Sequence, residues 1–234
     1  MSAAQQFWAG VRAELPLVIG AFPFGLIFGA LAVNAGLPPF FALATSSVVF
    51  AGSAQFITAP LYAQGVAGVV ILLTTLVVNL RHVLYSASLA EYVKGLPLRW
   101  RVLLAYLLTD EAYAPTIVRY QEQGLTPTAH WYFFGAGLSL WANWQLSTVL
   151  GIVVGAQIPA AWGLDFALVV TFIAMLMPQL ISRPRWLAAA VGGGVAVLAA
   201  GLPNKLGLVL GALAGVVAGM LSERWQPIRR GQGG

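Results

Sequence analysis

The sequence predicts an all-α integral membrane protein, a polytopic helical bundle of about seven or eight hydrophobic segments with a weak internal repeat and interrupted helices. Apolar residues make up 59% of the 234 residues and only 8% are charged, against about 25% charged in a soluble domain. The apolar residues fall into segments near the length of about 20 residues that crosses a bilayer. We therefore expect a single membrane permease domain over residues 1–234.

Eight apolar segments follow one another along the chain. They are 15–33, 40–63, 66–89, 102–118, 131–156, 166–182, 186–202 and 206–221. Pro and Gly inside such segments are tolerated at membrane depth where neighbouring protein or a water-filled cavity satisfies the freed backbone groups. We expect interruptions at the Pro23–Gly25 pair, Gly52, Pro60 and Pro178. No cleaved signal peptide is expected, because the first apolar stretch is long and lacks a small-residue cleavage site.

The positions of Lys and Arg bear on topology. If the segments 40–63 and 166–182 re-enter the membrane instead of crossing it, nine Lys and Arg lie inside and two outside. If all eight segments cross, the split is seven inside and four outside. The positive-inside rule favours re-entry. Both arrangements keep the two termini cytoplasmic, and both explain the net charge of +5 without a nucleic-acid partner.

A weak internal repeat relates two parts of the chain, approximately 15–95 and 131–221. The matching positions are Phe-Ala-Leu at 41–43 and 166–168, Gln55 and Gln179, and Asn79 and Asn204. With re-entrant segments the two parts would be inverted in the membrane. Inverted repeats with interrupted helices near the midplane are the architecture of many secondary transporters, so we place Gln179 and Asn204 with the candidate path residues.

Ionisable residues of opposite sign lie in two neighbouring apolar segments. Arg81 and His82 are in one, and Asp110 and Glu111 are in the other. Each charge at the centre of a membrane helix costs roughly 2.5–3.5 kcal/mol. One interpretation is a structural ion pair between Arg81 and one carboxylate. The other is proton-coupled transport, because the second carboxylate lacks an Arg and burial favours its neutral, proton-carrying form, although His82 could equally offset it.

Further candidate path residues surround these charges. Helical spacing puts Asn79 on the face of His82, and Tyr85 on the face of Arg81. Upstream, residues 51–54 are all small, which allows another backbone to approach closely. That stretch is either a packing surface or an unwound segment whose backbone groups bind a zwitterion. Its candidate binding residues are Gly52, Ser53 and Gln55.

Glycine recurs at every fourth position of the last segment, at Gly207, Gly211, Gly215 and Gly219. In a bilayer, helices associate through close packing of small residues more than through hydrophobic burial. We expect this face to pack against another helix. Such faces join helices within one chain more often than between chains, but four glycines in series favour a helix of a partner protein.

Three motifs together resemble the AzlC family, the large subunit of branched-chain amino-acid exporters. They are Phe-Ala-Gly-Ser-Ala-Gln-Phe at 50–56, Asn-Leu-Arg-His-Val-Leu-Tyr at 79–85 and Leu-Thr-Asp-Glu-Ala-Tyr-Ala at 108–114, preceded by Pro-Phe-Gly…Phe-Gly at 23–29. The resemblance implies efflux of leucine, isoleucine, valine and sometimes methionine across the bacterial inner membrane. It also implies a small membrane companion of the AzlD type. No cofactor or metal is expected.

Two other function classes remain open. The chain would be a channel, or an assembly subunit without transport of its own, if flux were not saturable and gradient-dependent. An intramembrane hydrolase would use Ser53, His82 and Asp110. However, Ser53 lacks the following Gly of a nucleophile elbow, no His-Glu-x-x-His metal motif occurs, and the chain has no cysteine.

Overall fold

The computed structural model describes residues 1–124, 126–156, 182–202 and 206–224, together with Met177 and Leu180. Within these residues every regular element is a helix. The chain divides into two compact units, Met1–Leu164 and Asp165–Gly234. Most of the segment 166–182, with Pro178 and Gln179, and Asn204 lie outside the described residues, so the internal repeat stays a prediction.

The first unit contains eight described helices. They are α1 (Ala3–Asn34), α2 (Pro39–Val49), α3 (Gly52–Ala63), α4 (Gly68–Val78), α5 (Arg81–Val93), α6 (Leu98–Tyr106), α7 (Asp110–Gln123) and α8 (His130–Gly155). The second unit contains α9 (Arg183–Leu198) and α10 (Leu206–Arg224). Helix α1 begins with a capping box, in which the Ser2 hydroxyl accepts from the Gln5 amide and the Gln5 side chain accepts from the Ser2 amide.

Among the described helices, α1 and α8 are each long and apolar enough to cross a membrane. A third crossing arises if α4 and α5, bent by 42° at their junction, form one span. Pro23 and Gly25 lie inside the continuous α1, and Pro60 lies inside α3. The expected interruptions at these positions are therefore wrong. Proline is compatible with a membrane helix when neighbouring groups satisfy the freed carbonyl.

Three helix pairs are interrupted near their middle, and each interruption falls in one of the three sequence motifs. The breaks separate α2 from α3 at residues 50–51, α4 from α5 at 79–80, and α6 from α7 at 107–109. At the first break Phe50 adopts a left-handed conformation with φ of 40°, and α3 then begins at Gly52, as expected from the sequence. Each break frees backbone groups from helical hydrogen bonding.

Helices α1 and α8 pack closely and run parallel. A side chain at Gly10 would collide with the backbone of Tyr132, and a side chain at Gly29 would collide with the backbone of Gly151. Contacts therefore advance in the same direction along both helices. Small residues allow this approach, as the packing of membrane helices requires.

The parallel arrangement constrains the topology between these two helices. If both helices cross the membrane, the chain from residue 35 to residue 129 must cross an odd number of times to enter both in the same direction. Re-entry of the segment 40–63 while the next two segments cross gives an even number, so that arrangement is wrong for this part of the chain. Either all three interrupted pairs cross or one of them does.

The second unit is an antiparallel hairpin closed by the glycine face of α10. Side chains added at Gly207, Gly211 and Gly215 would meet the backbone of α9, at Ala199, Gly192 and Ala188 respectively. Gly219 lies next to the side chain of Ala188. The expectation that this face needs a partner protein is therefore wrong, because the chain's own α9 covers it.

Candidate transport site

Arg81 connects two other helices through its guanidinium group. Its Nη1 donates to Asp110 Oδ2 at 2.8 Å, and its Nη2 donates to Ser53 Oγ at 2.7 Å. The side chains of Arg81 and Asp110 are 30% and 35% exposed to solvent. The ion pair expected between Arg81 and one carboxylate is thus present, and Asp110 is the acid that forms it.

All three residues lie at the start of a helix that follows an interruption. Ser53 is the second residue of α3, Arg81 the first of α5 and Asp110 the first of α7. The amino-terminal end of a helix carries partial positive charge and free N–H groups. Asp110 is therefore favoured at its position, where the neighbouring Thr109 hydroxyl also accepts from the Ala112 amide at 3.2 Å. Arg81 is disfavoured by its own helix end, and Asp110 compensates it.

Three buried polar atoms near this ion pair have no hydrogen-bond partner. They are Nε of Arg81, Oδ1 of Asn79 and Nε2 of Gln55. Two of them are donors and one is an acceptor. Unpaired polar groups are costly when buried. These atoms belong to residues within two positions of Arg81 or Ser53, so they could bind the acceptor and donor groups of one polar ligand.

The Gln55 side chain is held in place by the core of the first unit. It is fully buried, and its Oε1 accepts from Trp144 Nε1 of α8 at 3.1 Å. Phe28 of α1 stacks on Trp144 at 6.4 Å between ring centroids. A side chain at Gly52 would collide with the Trp144 ring. This packing fixes the first turn of α3 against α1 and α8.

Of the other predicted path residues in the described part of the chain, Asn79 lies in the α4–α5 break, and His82 and Tyr85 lie on α5. The His82 Nδ1 lies 3.1 Å from the carbonyl oxygen of Asn79. This contact connects the first turn of α5 to the α4–α5 break. The Tyr85 ring stacks on Tyr113 of α7 at 4.7 Å. Ser53 and Asp110 both bind Arg81, while the His82 ring contacts the backbone carbonyl of Asn79. The three residues of the hypothetical hydrolase are therefore not arranged as a Ser–His–Asp triad.

Glu111 is partly buried beside Asp110, and it is not the acid that Arg81 binds. Sequence reasoning missed two residues of this region, Trp144 and Glu14. Glu14 is fully buried on α1, and neither carboxylate oxygen has a hydrogen-bond partner. The signal that could have found Glu14 is its spacing of four from Gly10, which places both on one helix face.

A family model described as AzlC protein matches residues 16–158. The chain belongs to the AzlC family. The matched region contains all three interrupted pairs and the residues that meet at Arg81. This family is transport-associated and its proteins are membrane proteins, in agreement with the long apolar helices α1 and α8.

Relatives from three organisms match the AzlC chain over nearly its whole length. An uncharacterized membrane protein of Archaeoglobus fulgidus is 29% identical over 92% of this chain and 94% of its own. The inner membrane protein YgaZ of Escherichia coli is 27% identical over 94% of this chain and 92% of its own. The branched-chain amino acid transport protein AzlC of Bacillus subtilis is 23% identical over 99% of this chain and 92% of its own. No solved structure matches the chain.

Proposed function

We propose that this protein is a secondary transporter that exports apolar amino acids, namely leucine, isoleucine, valine and in addition methionine, across the bacterial inner membrane by proton antiport. The observation that carries the proposal is the meeting of three interrupted helices at Arg81, with unpaired buried donors and an unpaired acceptor beside it. The name of the Bacillus subtilis relative supports the class of substrate.

The polar atoms of the site suit the two ends of an α-amino acid. A substrate carboxylate would accept from Arg81 Nε and Gln55 Nε2, both of which lack partners. The amino-terminal ends of α3, α5 and α7 add partial positive charge to the same place. The substrate ammonium would bind the Asn79 Oδ1 acceptor and the Asp110 carboxylate. Such a site recognises the common part of every amino acid.

The apolar side chain of the substrate needs a surface without charge. The ring of Phe50, at the α2–α3 break, lies 6.2 Å from the ring of Tyr106 on α6. Phe50 is buried, and Tyr106 remains exposed. An apolar substrate side chain fits beside these rings at low cost, whereas a charged side chain would have to be desolvated there.

Coupling to protons is assigned to the carboxylates at the start of α7. Asp110 is compensated by Arg81, so proton binding to Asp110 would break an ion pair. Glu111 is the acid that Arg81 does not bind, so of these two acids it is the one that can take up or release a proton without breaking the ion pair. Asp110→Asn removes the Arg81 partner, while Glu111→Gln removes a titratable group and leaves that pair intact.

The deciding measurement is efflux of labelled leucine from proteoliposomes under an imposed pH gradient. We expect saturable, gradient-dependent efflux from the wild-type chain, and no efflux from Arg81→Gln. Lys94→Gln is the matched control, because Lys94 forms an ion pair of similar length with Glu91 at an exposed position. Flux that does not saturate, or equal efflux from both variants, would contradict the proposal.

The assay is run with and without a small companion of the AzlD type, which we propose as a partner in the inner membrane. Transport that appears only with the companion distinguishes a two-subunit exporter from a self-sufficient one. The companion does not bind through the glycine face of α10, which α9 covers. Helix α4 has no buried residue, and its exposed leucines offer an apolar face to lipid or to the companion.

A further inference from the structure

Glu14 is the most deeply buried carboxylate in the described part of the chain, and the transport site above does not use it. It lies on α1 within a stripe of buried residues, spaced by helical turns, that faces α8. The Gly10 contact with Tyr132 and the hydrogen bond of 3.1 Å from Asn143 Nδ2 to the Val18 carbonyl bracket its position. Glu14 is therefore part of the closest helix–helix contact of the first unit.

Both oxygens of the Glu14 carboxylate are inaccessible to solvent and have no hydrogen-bond partner. Removing an ionised carboxylate from water costs far more than removing the neutral acid, and an uncompensated buried charge destabilises a protein strongly. The neutral acid, with a proton on one oxygen, is the form that this environment favours.

The charged and titratable groups near Glu14 come from α7 and α8. Helix α7, which packs against α1, carries Asp110 and Glu111. The backbone of Tyr132 of α8 contacts α1 at Gly10, one turn before Glu14. The nearest Arg of α7, Arg119, instead donates to Gln6 Oε1 and lies over the Tyr132 ring. Arg81 is bound to Asp110. Among the described residues, no cation pairs with Glu14.

Glu14 and Glu111 experience opposite environments. Glu111 is in the first turn of α7, where the helix end stabilises negative charge. Glu14 is in the middle of a continuous helix, where no such compensation exists. Of these two acids, Glu14 is therefore the one whose charged form is less favoured, and it is the one that holds a proton.

We propose that Glu14 is a proton site, and that it binds the proton that is exchanged for substrate. This inference rests on the proposed proton antiport and adds α1 to its machinery. A proton from water on one side binds a Glu14 carboxylate oxygen to give the carboxylic acid. In the return step, the proton leaves that oxygen to water on the other side, and the carboxylate is regenerated.

The test compares Glu14→Gln with Glu122→Gln, which makes the same change at an exposed acid of α7. In proteoliposomes, an imposed difference of one pH unit changes the steady-state leucine ratio by about tenfold for one proton exchanged per substrate. We expect Glu122→Gln to retain this effect. Glu14→Gln should abolish it while exchange of labelled for unlabelled leucine continues. Full pH coupling in Glu14→Gln would overturn the proposal.

Infrared spectroscopy gives a second readout that does not depend on transport. The carbonyl stretch of a protonated carboxylic acid lies at a higher frequency than the bands of carboxylates and amides. We expect this band in the purified wild-type chain at neutral pH, its loss in Glu14→Gln and its retention in Glu122→Gln. If Glu14→Gln does not fold, Glu14→Asp must shift the band. An unchanged band refutes the protonated Glu14, whereas a chain that shows the band but transports nothing refutes only the antiport.

Discussion

Replacing Arg81 by Ala removes two charge-assisted hydrogen bonds at once, those to Asp110 and to Ser53. Such bonds contribute about 1.5–3 kcal/mol each, and breaking a fully buried ion pair costs about 3–5 kcal/mol. Because the two charged side chains are 30% and 35% exposed, water recovers part of this loss. We therefore expect Arg81→Ala to lower the free energy of unfolding by about 2–3 kcal/mol.

A double-mutant cycle isolates the contribution of the ion pair itself. Arg81→Ala, Asp110→Ala and the double variant should give a coupling energy of about 1–2 kcal/mol. The Glu91–Lys94 pair is the control, since its N···O distance is also short, 2.7 Å, but its side chains are 75% and 68% exposed. Its coupling energy should remain below about 0.5 kcal/mol.

Unfolding is measured in detergent by the fluorescence of the chain's eight tryptophans, of which Trp144 lies in the core beside Gln55. The double variant should recover the expression that Arg81→Ala alone loses, yet it should not transport. A coupling energy for Arg81 and Asp110 no larger than that of the exposed control pair would refute the reasoning.

Two further predictions concern α1 and α8. Gly151→Val should prevent stable folding, because any side chain there collides with the Leu26 backbone. The control Gly20→Ala should be neutral, since nothing lies within 4 Å of that position. Thermal unfolding distinguishes the two variants, and a stable Gly151→Val would contradict the packing of α1 against α8. Single cysteines at the exposed positions Pro38 and Gln123, in a chain that has none of its own, should be labelled from opposite sides of the membrane, because parallel helices put the end of α1 and the start of α8 on opposite faces. Labelling of both cysteines from the same side would contradict the parallel helices and support re-entry of the segment 40–63.

The ion pair could be anticipated from the sequence because charge is so scarce in this chain. Arg81 and the two acids stand out in apolar segments, and pairing is the cheapest way to retain them. The sequence alone does not distinguish Asp110 from Glu111, since both belong to the first turn of one helix. That choice depends on how the start of α7 is turned towards α5, which tertiary packing decides.

Other features were not readable from local sequence. Glu14 comes directly before the first apolar segment, so the sequence suggests that it is exposed to water. Only the packing of α7 and α8 around α1 buries it. The break before α3 could be anticipated from Gly52, but the left-handed conformation of Phe50 could not, because it is a residue type that rarely adopts positive φ. The glycine face of α10 was readable as a packing surface, but any small-residue face, whether on α9 or on another protein, would satisfy the same pattern.

The two hydrogen bonds of Arg81, to Ser53 and to Asp110, bear on how the helices can move. Three half-helices share one guanidinium group, so in the proposed transporter a substrate carboxylate that binds Arg81 would act on α3, α5 and α7 together. Loss of the bond to Ser53 would free the start of α3, and loss of the bond to Asp110 would free α7. Alternating access requires substrate binding to favour one of two arrangements of the same helices, and a single shared contact makes that choice depend on one event.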